Sequence, residues 1–234
     1  MLDASKRILE LYEDNESQIY IIEGWNGHGK SSYANTIISE VYSKDGINPN
    51  WSIPLFREHL GFHPMSVLKK WKIKHKNAKT FQLHPNDLVF HWDDAGAWLH
   101  SLDYNNPYVK QVGKYLQIFR TDWACIIFSC IDADDLTKKI RGLSSAITIK
   151  ITKHSSHTHK YRRIATAKHV EKDWYNNVYW KDDWTEGFNC KMPDTFFSWY
   201  DPIRRRYAYI VKKMMDKAAQ EEPDIVKTYK KGTL

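Results

Sequence analysis

The stretch GWNGHGKSS, residues 24–32, constrains the fold of this chain more than any other segment. It matches the pattern G-x-x-x-x-G-K-[ST] from Gly24 to Ser31. The preceding residues QIYIIE form a short apolar run rich in β-branched side chains, which predicts a buried strand. The following residues SSYANTIISEVYS carry apolar side chains at helical spacing. Strand, glycine-rich loop and helix in this order predict an α/β phosphate-binding unit.

The composition of this loop suits the phosphates of a nucleotide. Consecutive backbone N–H groups and a helix N-terminus attract anions, and glycines allow close approach of the backbone. Lys30 would reach the β- and γ-phosphates, and the Ser31 hydroxyl would ligate Mg²⁺. The alternative is a loop and helix cap that binds nothing. The residues predicted to hold the nucleotide are Gly24, Asn26, Gly27, His28, Gly29, Lys30, Ser31 and Ser32.

A second metal ligand is expected at the end of a neighbouring buried strand. The segment LVFHWDD, which starts at Leu88, provides two acids at that place. Asp93 is predicted to bind the metal, and Asp94 is predicted to orient the attacking water. For Asp94 the alternative is a cap on the helical turn that follows, AGAWLH.

Two further polar residues suggest hydrolysis of the bound nucleotide. Ser129 ends the apolar strand WACIIFS, where it would sense the γ-phosphate or position water; the alternative is a buried hydroxyl bonded to backbone. Arg141 follows the turn DLTKKI and would act on the nucleotide of a neighbouring subunit as an arginine finger. As a single arginine it is equally expected to be an ordinary surface residue.

The last 94 residues are basic, with 19 Lys and Arg against 11 Asp and Glu, whereas residues 1–140 are nearly neutral. Such a split points to a polyanionic partner. The segments AITIKITK and KYRRIATAK alternate and predict a hairpin with a polar tip. Its cations are predicted to contact nucleic acid, although a solvated hairpin surface remains the alternative. The residues concerned are Lys150, Arg162, Arg163 and Lys168.

The predicted fold class is a three-layer α/β phosphate-loop NTPase with a parallel sheet of five strands, followed by a basic β-hairpin and a C-terminal helix. The predicted division is a core at 1–145 and a basic segment at 146–234, packed as one domain. Three cysteines without a C-x-x-C pair argue against a disulfide framework and a structural zinc site. The histidines of the hairpin tip, His154, His157 and His159, make a poor metal cage without nearby acids or thiols. No segment predicts a membrane span or a secretion signal, so a cytoplasmic location is expected.

The segments IIEGWNGHGKSSYA, VFHWDDAGAWL and KMPDTFFSWYDPIRRRYA together resemble the DnaA-like ATPases of archaeal spindle-shaped viruses (fuselloviruses) and related plasmids. The resemblance covers roughly residues 18–215. It implies an AAA+ or related ASCE core, ATP as the ligand, and a role in replicating or maintaining an extrachromosomal genome. The chain departs from standard AAA+ proteins in carrying Asp94 where they carry glutamate.

These observations predict an enzyme that binds Mg·ATP, hydrolyses it and acts on DNA in replication initiation, remodelling or packaging, as a homo-oligomer without membrane association. Two alternatives stay open. One is a small-molecule or nucleotide kinase, which also joins a phosphate loop to arginines. The other is an assembly switch that binds ATP without hydrolysing it.

Overall fold

In the computed structural model, the described residues are 1–77, 87–154, 160–172, 174 and 178–221. The helices are α1 (Asp3–Glu13), α2 (Lys30–Val41), α3 (Ile53–His59), α4 (Pro64–Asn77), α5 (Pro107–Tyr115), α6 (Lys138–Arg141) and α7 (Asp194–Glu221), and the strands are β1 (Gln18–Glu23), β2 (Leu60–Gly61), β3 (Asp87–Trp92), β4 (Trp123–Ser129), β5 (Ala146–Lys153), β6 (Arg162–Lys172) and β7 (Val178–Asn189). No helix among these residues is both long enough and apolar enough to cross a bilayer.

The seven strands form one sheet in the order β2-β3-β4-β1-β5-β6-β7. The pairs from β2 to β5 are all parallel, whereas β5–β6 and β6–β7 are antiparallel. Strand β4 therefore lies between β1, which precedes the glycine-rich loop, and β3, which precedes the acid pair. The predicted α/β class, the five parallel strands and the antiparallel hairpin are confirmed.

Side chains of the central strands alternate between two faces that are both covered by helices. On one face, Trp71 of α4 and Val112 of α5 pack with Phe90 and Ile126 in a single apolar cluster. On the other face α1 and α2 cover the sheet, and Tyr33 is among their fully buried side chains. Each fully buried side chain of this size contributes about 1.5–3 kcal/mol to folding. The sheet with helices on both faces gives the predicted three layers.

Strand β5 has two roles. It pairs antiparallel with β6, as the hairpin predicts, and it also pairs parallel with β1 as the fifth strand of the core sheet. The predicted boundary between residues 145 and 146 thus falls immediately before a core strand. Two compact units are present, and the first runs from Met1 to Pro193 and the second begins at Asp194. We call β5, β6 and β7 of the first unit the ribbon.

In the segment SIPLFREHL, helix α3 runs directly into the short strand β2. The aromatic segment that contains residues 178–189 is the long strand β7. The C-terminal helix predicted from the sequence is α7, and it contains Pro202. Within α7, Arg205 pairs with Asp201 at 2.6 Å, four residues earlier.

Candidate functional site

The glycine-rich loop connects β1 to α2, and α2 begins at Lys30. Gly29 caps this helix with φ +96°, a left-handed conformation that glycine adopts without steric cost. The N–H groups of Gly27 and Gly29 make no hydrogen bond to any residue that the structure describes. The first N–H groups of α2 also have no partner within the helix. The loop therefore presents a group of backbone donors, the arrangement that binds phosphate.

Lys30 is folded back over the loop. Its Nζ donates to the carbonyl oxygens of Gly24 at 2.6 Å and Trp25 at 3.3 Å, and its exposed fraction is only 7%. An ammonium group held by two carbonyls at the mouth of an anion site is available for stronger, charge-assisted bonds to phosphate oxygens.

The acid pair follows β3, and Asp93 lies against the first turn of α2. The Ser31 hydroxyl donates to Asp93 Oδ1 at 2.8 Å, and Asp93 is fully buried. Ser129, at the end of β4, donates to the same oxygen at 2.5 Å. The sequence predicted that Ser31 and Asp93 meet at one metal ion, and the structure brings these two side chains together.

A hydroxyl and a carboxylate are suitable ligands for Mg²⁺, which takes most of its other ligands from water and substrate phosphates. Among the described residues no cluster of three His, Cys, Asp or Glu could hold a metal ion by itself. Ser31 and Asp93 fit an ion that arrives with a nucleotide.

His91 is a site residue that the sequence analysis missed. Its Nε2 lies 3.2 Å from Ser129 Oγ and 3.6 Å from Asp93 Oδ1, and its Nδ1 lies 3.1 Å from Asn35 Oδ1. Burial lowers the pKa of His91 to about 4, although the nearby Asp93 charge opposes this shift. The imidazole is therefore neutral at pH 7. Its position two residues before Asp93 on a strand is the signal that would have placed both side chains on one face.

Ser129 makes hydrogen bonds with both residues of the acid pair. Its Oγ bonds to the Asp93 carboxylate and accepts a hydrogen bond from the Asp94 N–H at 3.1 Å. It is fully buried. Ser129 lies at the end of β4, as predicted. Its hydroxyl contacts His91, Asp93 and Asp94.

Asp94 has an unusual backbone conformation, with φ +52°. Asparagine and aspartate tolerate this region better than other residues, but it still costs about 1–2 kcal/mol. Asp94 occupies the position before the 3₁₀ turn Ala95–Ala97, and its side chain makes no capping hydrogen bond to that turn. The strained backbone is held by bonds from its N–H to Asp93 and Ser129. Strain of this kind clusters at functional sites.

Residues of the ribbon pack against the glycine-rich loop. A side chain on Gly24 would place Cβ 2.6 Å from the carbonyl oxygen of Ile151, on β5. A side chain on Gly29 would place Cβ 2.8 Å from Cβ of Cys190, the residue after β7. His28 Nδ1 lies 3.1 Å from the same Ile151 oxygen. The loop thus rests directly on the ends of two ribbon strands.

Arg163 of β6 makes a further contact with the loop. Its Nε donates to the carbonyl oxygen of His28 at 3.0 Å, and its Nη1 donates to the carbonyls of Lys160 and Arg162 at 2.9 and 2.8 Å. In a trans peptide the C=O and the following N–H point in opposite directions. Because Arg163 binds the His28 carbonyl, the Gly29 N–H is turned away from Arg163.

The four ribbon cations predicted to contact nucleic acid differ in their surroundings. Lys150 and Arg162 are exposed, whereas Arg163 is 8% exposed and holds the loop. Lys168 pairs with Asp182 of β7 at 3.0 Å. Strand alternation explains the difference, because neighbouring residues such as Arg162 and Arg163 face opposite sides of the sheet. The guanidinium of Arg163 is directed to backbone carbonyls, and its contact with nucleic acid stays a prediction.

Arg141 is engaged within its own chain, where Nη1 pairs with the carboxylate of Asp134. Arg141 also lines a surface cavity.

Of the hairpin-tip histidines, His157 and His159 lie outside the described residues.

A viral protein is similar to this chain in sequence. The uncharacterized protein B-251 of Sulfolobus spindle-shape virus 1 is 28% identical over 211 residues, which cover 87% of this chain and 79% of the relative. The resemblance to spindle-shaped virus proteins is confirmed at this level. No protein-family profile matches the chain.

Two solved structures are similar in outline. The N-terminal domain of zonular occludens toxin from Neisseria meningitidis has a TM-score of 0.42 and 10% identity, over 78% of this chain and 97% of that domain. The KaiC-like protein PH0186 from Pyrococcus horikoshii has a TM-score of 0.33 and 8% identity, over 70% and 89%. Both TM-scores are low. The fold is therefore described by the strand order and the glycine-rich loop of this chain itself.

Proposed function

We propose that this chain is a Mg·ATP-binding ATPase of a virus or related mobile genetic element, and that it acts on DNA in replication initiation, remodelling or packaging. The nucleotide part of this proposal is supported by site geometry. The viral part is supported by the relative in Sulfolobus spindle-shape virus 1, and the DNA part by the basic composition of the last 94 residues. A DnaA-like, AAA+ character and assembly into a homo-oligomer belong to the same proposal.

The observation that carries the proposal is the 2.8 Å hydrogen bond between Ser31 Oγ and Asp93 Oδ1. These residues are 62 positions apart in sequence. They meet beside the loop in which the N–H groups of Gly27 and Gly29 have no partner among the described residues. When Mg·ATP binds, Ser31 and Asp93 would share the ion, and the loop N–H groups would surround the β- and γ-phosphates. Lys30 would exchange its two carbonyl partners for phosphate oxygens.

Hydrolysis would depend on Asp94. Its backbone is held in the left-handed region by hydrogen bonds from its N–H to Asp93 and Ser129. In this role Asp94 accepts a hydrogen bond from water and orients it toward the γ-phosphate. His91 and Ser129 would position Asp93 for the metal ion through their short contacts with it and with each other.

Two substitutions test binding and turnover separately. Lys30→Ala should abolish binding of a fluorescent ATP analogue with Mg²⁺, and unchanged ATP turnover in this variant would refute the proposal. Asp94→Asn should preserve binding and lower kcat by about 10²–10⁴-fold, the usual contribution of a general base. If purified wild-type protein binds Mg·ATP and assembles without releasing phosphate, it is a switch. Release of ADP only in the presence of nucleosides or nucleotides would identify a kinase.

A further inference from the structure

A basic cavity of about 480 Å³ lies outside the nucleotide site, between α5, α6 and the 3₁₀ turn Ser101–Asp103. The described residues that line it include no acid and four cations, Lys110, Lys138, Lys139 and Arg141. A volume between about 300 and 1,000 Å³ is typical of small-ligand sites, so the cavity is large enough for a nucleotide unit.

The charges of this cavity are incompletely neutralised. Lys110, Lys138 and Lys139 make no ion pair with any residue that the structure describes. Arg141 pairs with Asp134 through Nη1, but its Nε is buried and has no hydrogen-bond partner within the described part of the chain. The three lysines leave positive charge in the cavity that an anionic oxygen would neutralise.

The other lining groups indicate what carries that oxygen. Tyr104 lines the cavity and is 62% exposed, and Ser101 and Thr137 add hydroxyl groups. Cations beside an exposed aromatic ring are the combination that binds single strands, because the ring stacks on an unpaired base while the cations follow the phosphates. A duplex keeps its bases stacked inside and offers no free ring face to Tyr104.

A hydrogen bond connects the lining of the cavity to the segment that follows the acid pair. The Thr137 N–H donates to the carbonyl of Leu99 at 3.2 Å, and Leu99 is five residues beyond Asp94. The ribbon is less favourable for a polyanion, because one of its four candidate cations holds the loop and another is paired with an acid.

We propose that this cavity binds single-stranded nucleic acid, with backbone phosphates at the four cations and an unpaired base against Tyr104. The proposal rests on the DNA part of the proposed function and places that contact away from the ribbon.

The test is the affinity of the full chain for a labelled oligothymidine, measured by anisotropy at several salt concentrations. Arg141→Gln and Lys138→Gln should each reduce the slope of log K against log salt by about 0.7, the value for one phosphate contact in a single strand. Tyr104→Ala should weaken binding by between about 5-fold and about 150-fold with the slope unchanged, since stacking on one base contributes that range. Lys44→Gln, an exposed site elsewhere, is the charge-matched control.

Three outcomes would overturn the proposal: unchanged slopes in the cavity variants with a reduced slope in Arg162→Gln, equally tight binding of a duplex without any Tyr104 effect, or no binding of wild type to the oligomer. Melting temperatures check that the variants are folded. Titration of each protein with Mg·ATP reports independently on the nucleotide site, so a failure there is distinguishable from a failure of the cavity.

Discussion

Removing the Arg163 side chain should weaken nucleotide binding, although this residue lies on the ribbon and behind the phosphate loop. Of its three hydrogen bonds, only the bond from Nε to the His28 carbonyl, at 3.0 Å, connects the ribbon to the loop. A hydrogen bond from a charged donor contributes about 1.5–3 kcal/mol. If that bond keeps the Gly29 N–H directed at the phosphates, Arg163→Gln should raise the Kd for Mg·ATP by about 10-fold to about 150-fold.

The assay is titration of a fluorescent ATP analogue with Mg²⁺, well below the melting temperature of each variant. Arg162→Gln is the matched control, because the neighbouring side chain is exposed and makes no contact with the loop among the described residues; its Kd should stay within about 2-fold of wild type. Arg163→Lys should give an intermediate Kd, since an ammonium group keeps the charge but loses the planar fork. A folded Arg163→Gln protein with wild-type affinity would refute the role assigned to Arg163.

Two further perturbations concern Gly29 in the loop and Glu171 near the end of β6. Gly29→Ala should cost about 1–2 kcal/mol of folding free energy from φ alone and should also weaken Mg·ATP binding. Gly46→Ala is the control, because Gly46 has φ +67° with open space around its Cβ, and it should lower only the melting temperature. Equal nucleotide affinity in both variants would contradict the close packing behind the loop. Hydrogen bonds from Lys181 and two other side chains lower the pKa of Glu171 from 4.5 to about 2, so the ionised form stabilises the fold above pH 4.5 and this stabilisation is lost as the pH falls toward 2. Glu171→Gln should therefore flatten the acid limb of urea-unfolding stability between these pH values, and the same change at exposed Glu13 should not.

The geometry of the candidate site was predictable from the sequence because its residues belong to short local patterns. The loop motif places Lys30 and Ser31 by spacing alone, and the end of a buried strand places Asp93. Parallel strands bring their carboxyl ends to one edge of a sheet, so the meeting of Ser31 with Asp93 follows once both strands are recognised.

The support behind the loop was not predictable in the same way. Strand β5 alternates like a hairpin strand, and nothing in its local pattern indicates that its other edge pairs with β1. The adjacent residues Arg162 and Arg163 are of the same type, yet Arg162 is exposed and Arg163 is buried against the loop. The register of β6 decides which of the two faces inward. His91 was missed because a histidine within an apolar run is usually an ordinary buried residue, and its role depends on Asn35 and Ser129 from other elements.

Because the phosphate loop packs against the ribbon, a chain must include the ribbon to keep the loop in the conformation described above. A protein shortened after residue 145 would retain every residue of the glycine motif and both acids, yet it would lose Ile151, Arg163 and Cys190. Gly24 and Gly29 would then adjoin water where they now adjoin protein. The shortest chain that keeps this packing therefore extends to Cys190, and strands that look like an appendage hold the glycine-rich loop in place.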